Sequence, residues 1–333
     1  MNKFFYKYIW FLRRSLRHRI GMVTTGSLAI STYQLRPEQF VRRIQKNHLL
    51  NRNNYKRTLN SRGFIVSMFN SSLNPKTGII WSRKAIVEES SVLLVHKLLR
   101  WEPAPVFSQK LHGMFSNLPD NGFYHFLIED LPRFIEVFDY NPRAQVILGS
   151  KSNYILDIVK LLRIENSMFL DYPVQCEELI FSEKSLGGVF NKNDHELLKF
   201  LISDIETNDK GRKILIVRSN IIKGYLDRGI RHSSALYAKL KNLGFEEVVL
   251  EQLSFSEQIS IMNSADVLVG FHGAGLANMV WMKQNTKVFE ITESRFTSHF
   301  EHIASVCNIK FNRYIASDLA ELTESQLKRK FLL

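Results

Sequence analysis

Cysteine is scarce in this chain, with Cys176 and Cys307 alone among 333 residues. The two lie far apart and form no C-x-x-C pair, which excludes a disulfide framework and a cysteine-based metal site. The aromatic segment 1–20 lacks a long apolar run, because its longest uncharged stretch, Tyr8–Leu12, is far shorter than the roughly 20 residues of a membrane-spanning helix. We therefore expect a cytoplasmic protein with no secretory signal and with two thiols packed in its core.

Several familiar motifs are also absent. The chain has no G-x-x-x-x-G-K-[ST] phosphate loop, no G-x-G-x-x-G dinucleotide turn and no G-x-S-x-G nucleophile turn. It therefore lacks the standard signatures of phosphate-loop enzymes, dinucleotide enzymes and serine α/β hydrolases.

Positive charge is abundant, since 45 Lys and Arg face 32 Asp and Glu, a net charge of +13. Such a balance predicts anionic partners. Basic residues are mixed with aromatic and aliphatic ones over residues 3–20, which is typical of a helix lying on an anionic membrane surface. A solvated basic terminus is the alternative. Nucleic-acid binding is a further hypothesis from the charge, but no known nucleic-acid motif supports it.

Strands and helices alternate in the second half of the chain. The predicted strands are 213–219, 246–250, 266–270 and 287–291, and the predicted helices are 234–243, 254–265 and 276–282. Ser254 or Ser256 is a candidate N-cap, with Glu257 at capping-box distance from Ser254. Apolar strands separated by helices predict a parallel sheet covered on both faces.

The first half has a less regular pattern. Its predicted strands are 63–69, 78–81, 145–149 and 178–181, and its predicted helices are 122–140, interrupted by Pro132, 154–163 and 194–207. The charged segment 208–213 reads as a linker. We therefore predict an N-terminal segment, 1–60, followed by domains 61–207 and 208–333.

A glycine turn follows the predicted strand 266–270, within VLVGFHGAGLANMVW (267–281). Its spacing is G-x-x-G-x-G, and such glycines let backbone amides approach a ligand while the positive end of the next helix favours an anion. Ligands of open α/β sheets bind at the carboxyl ends of strands. The turn thus predicts a phosphate site, and a turn that serves packing alone is the alternative. Gly270, Gly273 and Gly275 form the pattern, His272 and Asn278 add donors, and Glu290 ends the next strand.

Two segments carry a family resemblance. FHGAGLANMVWMKQNTKVFEI (271–291) resembles the H-G-A-G-L-[TA]-N turn and E-I strand of glycosyltransferase family 61, and NGFYHFLIEDLPRF (121–134) is similar to its N-Y-Y-H-W-x-x-D-x-L-P-R-L segment. Arg218 and the LSFSEQI segment (253–259) match between them. The resemblance covers roughly residues 60 to 315. The family's R-R-x-x-N-E run is replaced by RGIRHSS (228–234), which keeps Arg228 in register.

The resemblance implies an α/β fold of the GT-B type, in which two Rossmann-like doubly wound domains face a cleft. It implies an inverting glycosyltransferase that moves a hexose or pentose from a nucleotide sugar to a glycan or lipid-linked acceptor. Surface (capsular) polysaccharide assembly at the inner face of the cytoplasmic membrane is the expected setting. The HGAG turn is compatible with a second reading, an oxyanion hole of an α/β hydrolase, which the missing nucleophile turn disfavours.

The resemblance also assigns candidate site residues. No D-x-D pair and no Cys/His cluster is present, so we expect no cofactor and no metal, with the leaving diphosphate held by amides and cations. The donor-site candidates are Arg218, Arg228, His272, Gly273, Ala274, Gly275, Leu276, Asn278 and Glu290.

The acceptor-side candidates are His125, Glu129 and Asp130. Helical spacing puts His125 and Glu129 on one face, whereas Asp130 is the position that matches the family. We favour Asp130 as the base, with His125 orienting it or binding the acceptor. Alternatives are a core histidine at His125, and a local ion pair between Asp130 and Arg133.

Overall fold

The computed structural model describes residues 22–23, 55–60, 63–82, 85–87, 110–183, 190–203, 205, 211–217, 233–292 and 298–332. The chain forms two compact units, Met1–Val189 and Phe190–Leu333. This division differs from the predicted boundary at 207/208. Phe190 and His195 belong with the second unit because the Phe190 carbonyl accepts a hydrogen bond from His302 and His195 donates one to the Val280 carbonyl.

A mixed sheet forms the centre of the first unit. Its strands are β1 (Met22–Val23), β2 (Tyr55–Asn60), β3 (Gly63–Asn74), β4 (Ile79–Ser82), β5 (Ala85–Val87), β6 (Lys110–Leu118), β7 (Gln145–Leu148), β8 (Ser167–Phe169) and β9 (Val174–Glu183). They follow the order β1-β5-β4-β3-β9-β6-β7-β8, with β2 paired to β3. All four strands predicted in the first half are present, where they overlap β3, β4, β7 and β9.

The doubly wound prediction describes half of this sheet. Strands β9, β6, β7 and β8 are parallel neighbours, whereas β2, β3, β4 and β5 pair antiparallel. The antiparallel half arises because short connections, such as the turn 75–78 between β3 and β4, join adjacent strands in opposite directions. The chain is thus α/β, with a mixed sheet in this unit.

The predicted helix 122–140 is built from three pieces. Helix α1 (Phe123–His125) leads into a π-helical turn (Phe126–Asp130) and then into α2 (Leu131–Tyr140), while α3 (Asn153–Leu161) follows β7. Pro132 is the second residue of α2, which directly follows the π-helical turn, and a proline inside a continuous helix lacks an N–H and clashes with the backbone of the preceding turn. The irregularity therefore precedes the proline, where the Leu131 N–H donates to the Phe126 carbonyl five residues back.

The second unit contains a parallel sheet. Its strands are β10 (Arg212–Ile216), β11 (Glu246–Val248), β12 (Ala265–Phe271), β13 (Lys287–Thr292) and β14 (Lys310–Ile315), in the order β11-β10-β12-β13-β14. This is the doubly wound order 2-1-3-4-5, in which the winding direction reverses between β10 and β12. The sequence prediction is confirmed for this unit.

Helices cover both faces of the parallel sheet. They are α4 (Lys192–Lys199), α5 (Ser233–Asn242), α6 (Phe255–Ser264), a 3-10 helix (Ala274–Trp281), α7 (His299–Val306), α8 (Ala316–Ala320) and α9 (Glu324–Phe331), with 3-10 turns at Phe200–Ile202 and Leu250–Gln252. The predicted cap is confirmed, because Ser254 and Glu257 exchange side-chain and backbone hydrogen bonds at the start of α6.

Apolar side chains fill both faces of the sheet. On one face Leu215, Val269 and Phe289 pack with residues of α5 and α9, including Leu236 and Phe331. On the other face the 3-10 helix packs against α6, where the rings of Phe255 and Trp281 meet edge to face at 5.8 Å. This coverage of two faces explains why the strands read as almost continuous apolar runs.

Both cysteines are buried and unpaired, as expected from the sequence. Burial raises the pKa of Cys176 and of Cys307 to about 12, so neither is an activated thiol. In the described part of the chain, no helix is both long enough and apolar enough to cross a bilayer.

Candidate functional site

The glycine turn lies where the second unit's sheet reverses its winding. His272 and Gly273 connect β12 to the 3-10 helix that begins at Ala274, and the His272 N–H donates to the Ile291 carbonyl at 2.8 Å. The Leu276 N–H makes the first bond of the helix, to the Gly273 carbonyl at 3.0 Å. The N–H groups of Ala274 and Gly275 belong to the first turn of the helix, and N–H groups there have no carbonyl partner within the helix. The turn therefore presents amide donors at the carboxyl end of β12.

A buried carboxylate lies behind this turn. Glu290 on β13 is fully buried, accepts a hydrogen bond from His272 Nδ1 with one oxygen, and accepts another from Arg313 Nε at 2.5 Å with the other. Glu290 and Arg313 are register partners on β13 and β14. Burying a carboxylate without partners would cost much free energy, so the hydrogen bonds from His272 and Arg313 explain how Glu290 can lie in the core.

His272 and Arg313 are each held by an aromatic ring as well. The His272 side chain is 32% exposed and meets the Phe300 ring edge to face, with centroids 5.4 Å apart. The Arg313 guanidinium lies over the Phe311 ring at 5.4 Å. The sequence analysis did not identify Arg313, because its contact with Glu290 joins residues 23 positions apart and depends on the register between two strands.

Two predicted donor-site side chains face the core instead of the turn's open side. Leu276 is buried, and the side chain of Asn278 is fully buried. Asn278 donates to Gln258 at 3.2 Å and to the Gly275 carbonyl at 3.3 Å, and its oxygen accepts from the Trp281 indole at 3.1 Å. Because its side-chain amide is used in this network, Asn278 does not fit the prediction that it donates to a ligand. Leu276 can contribute to a ligand site only through its backbone.

Gly275 serves packing. A Cβ at this position would lie 3.1 Å from Leu250 Cδ1 and 3.5 Å from Ile216 Cγ2, and a Cβ at Gly270 would lie 3.0 Å from Leu276 Cδ2. The two glycines therefore let the 3-10 helix lie against β10 and the 3-10 turn at Leu250. Packing, the alternative that the sequence left open, therefore accounts for both glycines. The predicted phosphate site then depends on the backbone N–H groups of the turn.

The remaining donor candidates, Arg218 and Arg228, lie outside the described residues. Their predicted contacts with a donor stay predictions.

In the first unit, His125 and Glu129 form the pair predicted from their spacing. His125 Nδ1 donates to Glu129 Oε2 at 2.8 Å, and the two side chains are 29% and 16% exposed. Tyr124 meets the His125 ring edge to face at 5.2 Å. Burial, reinforced by the Glu129 charge, raises the pKa of Tyr124, so this phenol remains protonated.

Asp130, the neighbouring carboxylate, is nearly buried at 4% exposure and accepts a hydrogen bond from Asn121 Nδ2 at 2.6 Å. It borders a pocket that is lined by both polar and apolar residues. Polar residues of this pocket are Ser116, Asn117, Asp130, Arg133 and Ser182, and apolar ones include Ile80, Phe134 and Leu179. Arg133 donates to the Ser182 carbonyl at 2.9 Å.

A second carboxylate anchors the segment that carries Asn121. Asp120 accepts hydrogen bonds from Ser150 at 2.6 Å, from Tyr154 at 2.5 Å and from the Gly122 N–H at 3.1 Å. Burial acts to raise the pKa of Asp120, but these hydrogen bonds outweigh it and hold the pKa below its usual range. Asp120 is thus a charged anchor for the loop before α1, which the sequence analysis missed.

Among the described residues, no group of three or more His, Cys, Asp or Glu side chains is arranged to hold a metal ion. The expected independence from metal stays a prediction.

Comparisons with known proteins give one family. The family model described as Glycosyltransferase 61 matches residues 123–289, which include both the His125 pair and the His272 turn. The chain is 31% identical over 116 residues to alpha-1,3-arabinosyltransferase XAT3 of Oryza sativa subsp. japonica, a match that covers 31% of this chain and 20% of that protein.

Two other relatives match shorter segments. A beta-1,2-xylosyltransferase of Arabidopsis thaliana is 35% identical over 77 residues, and an EGF domain-specific O-linked N-acetylglucosamine transferase of Drosophila melanogaster is 26% identical over 74 residues. Each match covers 22% of this chain and 14% of the relative. The chain thus matches a fifth or less of the length of these curated relatives. A solved structure of a flavo di-iron protein mutant from Thermotoga maritima aligns over 83% of this chain and 66% of that chain with a TM-score of 0.25 and 12% identity, too weak a likeness to support a conclusion.

Proposed function

The chain belongs to glycosyltransferase family 61, and from this membership we propose that it transfers a sugar from a nucleotide-sugar donor to a glycan acceptor. The observation that carries the proposal is the turn at the carboxyl end of β12, where backbone amides, His272 and the start of a helix meet at the reversal of a doubly wound sheet. Ligands of such sheets bind at this point, and the positive end of a helix stabilises an anion.

Within this proposal, the donor's diphosphate lies against the amides of Gly273, Ala274 and Gly275. The imidazolium form of His272 is a further donor through Nε2, because its Nδ1 donates to Glu290. A departing nucleoside diphosphate gains negative charge as the glycosidic bond breaks, so donors already fixed in the turn stabilise the transition state more than the ground state. Arg218 and Arg228 are proposed as further cations on the basis of the sequence. Metal is proposed to be unnecessary because the chain has no D-x-D pair.

The acceptor chemistry is proposed for the His125–Asp130 segment. If the reaction inverts the anomeric centre, the acceptor hydroxyl needs a general base. Asp130 fits this role because it is a carboxylate at the border of a pocket and is oriented by Asn121. His125, paired with Glu129, is proposed to bind or orient the acceptor.

The finer features of the proposal come from the sequence. They are the GT-B arrangement of the two units, the inverting mechanism, a role in surface (capsular) polysaccharide assembly with a lipid-linked acceptor, and a cytoplasmic location. Contact with an anionic membrane through residues 3–20 is also proposed, although these residues lie outside the described part of the chain. Sedimentation with vesicles of neutral and of anionic lipids, for the full chain and for a chain lacking residues 3–20, tests the membrane contact.

The test of the central proposal is a screen of nucleotide sugars for binding, followed by turnover. We expect one nucleotide class to raise the melting temperature of the full chain, because a ligand that binds the native state stabilises it. Release of the free nucleotide in the presence of a glycan acceptor, with the sugar recovered on the acceptor, would then establish transfer. A chain that binds none of the common nucleotide sugars, or that hydrolyses an ester in their place, contradicts the proposal.

A further inference from the structure

We propose that Arg313 is a positioning residue of the donor site, which compensates the charge of Glu290 and so lets His272 meet a phosphate. This inference rests on the proposed function and extends it to a residue on a strand outside the glycine turn.

The contact between Arg313 and Glu290 is built into the sheet. Both residues lie on neighbouring parallel strands in direct register, and Arg313 Nε donates to Glu290 Oε2 at 2.5 Å. The Arg313 side chain is 15% exposed and Glu290 is fully buried. Because few water molecules reach such a pair, its charges are poorly screened and their balance affects the neighbouring site.

Charge compensation is the first consequence. Glu290 accepts a hydrogen bond from the ring that is proposed to face the donor, so its negative charge lies directly behind that ring. Without Arg313, this carboxylate would oppose an incoming diphosphate. With Arg313, the pair is neutral, and the amide donors and His272 set the sign of the potential at the turn.

Ring orientation is the second consequence. A histidine that donates from Nδ1 to a carboxylate has its ring plane fixed by that bond, and outer partners of the carboxylate hold the geometry. A neutral ring with its proton on Nδ1 has no proton on Nε2, so a hydrogen bond to phosphate requires the doubly protonated imidazolium, which donates from Nδ1 to Glu290 and from Nε2 to the phosphate. The Nε2 atom is then on the ring edge away from Glu290, and the Phe300 ring limits rotation. Arg313 therefore acts on the phosphate through Glu290 and His272, not by contact.

The same sheet offers a matched control. Arg212 forms an ion pair with Glu246 at the amino ends of β10 and β11, with Nη2 and Oε2 2.5 Å apart. This pair lies at the end of the parallel sheet opposite the glycine turn. Loss of Arg212 removes an arginine–glutamate contact of the same length, although a more exposed one, without changing the charge behind His272.

The experiment measures binding of UDP, GDP, CDP and inorganic pyrophosphate to the full chain by calorimetry. The variants are Arg313→Gln, Arg313→Lys, the double variant Glu290→Gln with Arg313→Gln, and the control Arg212→Gln, with the melting temperature recorded for each. We expect Arg313→Gln to weaken binding of the best diphosphate about tenfold or more, because it leaves the charge of Glu290 uncompensated behind His272. Arg313→Lys should lose less, and Arg212→Gln should bind as the wild type does.

The double variant separates charge from structure. Removing Glu290's charge together with Arg313's restores neutrality, so we expect this variant to bind the diphosphate more tightly than Arg313→Gln does. A purely structural role predicts lower stability with unchanged affinity of the folded molecules. Wild-type affinity in Arg313→Gln, or no recovery in the double variant, would overturn the inference. If Arg313→Gln does not fold, Arg313→Lys and the double variant are compared directly. Charge compensation predicts similar affinities for the two, and a double variant that binds the diphosphate much more weakly than Arg313→Lys overturns the inference.

The outcomes also distinguish this inference from the proposed function. Pyrophosphate binding that depends on Arg313, without binding of any nucleotide, would support the anion site and contradict a nucleotide-sugar donor. Nucleotide binding that is independent of Arg313 would leave the proposed function in place and remove Arg313 from the site. Absence of binding by both kinds of probe would contradict the two together.

Discussion

The side-chain amide of Asn121 donates a 2.6 Å hydrogen bond to one carboxylate oxygen of Asp130. Asn121 stands before α1 and Asp130 ends the π-helical turn, so the bond closes the segment into a compact unit around His125. One oxygen of Asp130 is thereby fixed by protein, and the orientation of the other is determined. A carboxylate held in this way is suited to accept a proton from a hydroxyl at a defined position.

Asp130→Asn is expected to lower the catalytic rate by about a hundredfold to ten-thousandfold, the usual effect of losing a general base. An asparagine can still accept from Asn121, so the fold and the affinity for the donor nucleotide should change little. Steady-state kinetics and nucleotide binding check this, with Asp139→Asn, an exposed carboxylate on α2, as the control. Wild-type turnover in Asp130→Asn, or an unfolded protein, would return Asp130 to a structural role.

The His125–Glu129 pair leads to a graded prediction. His125→Ala removes the imidazole and should impair transfer, whereas Glu129→Gln should be milder because glutamine can still accept from Nδ1 across the 2.8 Å contact. Turnover numbers and acceptor KM values for the two variants, measured at equal nucleotide saturation, decide the matter. A Glu129→Gln enzyme that is as impaired as His125→Ala would show that the charge on Glu129 is required.

Local sequence patterns predicted much of the fold. The second unit's strands are buried on both faces, so their apolar runs were distinct, and the Ser254–Glu257 cap marks a helix start by local chemistry alone. The antiparallel half of the first unit was not predicted, because the residues of a strand do not show which other strand pairs with it or in which direction. The contact between Glu290 and Arg313 escaped prediction for the same reason.

The direction of Asn278 was missed because of helix type. With an α-helix expected from 276 to 282, the side chains would advance by about 100° per residue, but in a 3-10 helix residues three apart share one face. Gly275, Asn278 and Trp281 therefore align on the inner face, where Asn278 bonds to both of the others. The turn's place at a carboxyl strand end was predictable, whereas the side-chain directions beyond it were not.

The packing of Gly275 changes what a substitution there should do. If Gly275 served only to admit a phosphate, Gly275→Val would block the ligand and leave the fold intact. The structure places a Cβ 3.1 Å from Leu250, so valine should overpack the 3-10 helix and cost about 1–3 kcal/mol of unfolding free energy. In a double-mutant cycle with Leu250→Ala, measured by denaturant unfolding, the double variant should be less destabilised than the sum of the two single variants, because the smaller residue at 250 makes room for the valine. Strictly additive effects would show that valine does not meet Leu250.

Metal dependence provides a test of the donor site as a whole. If amides, His272 and cationic side chains meet the charge of the leaving diphosphate, transfer should persist in excess EDTA at the wild-type rate. Rates are compared in buffer with EDTA, with EDTA followed by excess Mg²⁺, and with EDTA followed by excess Mn²⁺. Activity that is lost in chelator and restored by either ion would contradict the metal-free proposal.

His195 predicts a specific dependence of stability on pH. Its side chain is almost fully buried and its Nε2 donates to the Val280 carbonyl at 3.0 Å. Burial lowers the pKa of His195 below its ordinary value of 6.5, although the bond to Val280 acts in the opposite direction. Between these two pKa values the unfolded chain binds a proton at this residue that the folded chain does not.

The free energy of unfolding should therefore fall as the pH drops below about 6.5, by at most about 1.4 kcal/mol per pH unit from this group. Subtracting the curve of His195→Gln, measured by denaturant unfolding from pH 8 to pH 5, removes the contribution of the other titrating groups. The difference should be constant above pH 7 and shrink toward acid, whereas a constant difference over the whole range would show that His195 binds protons equally in both states.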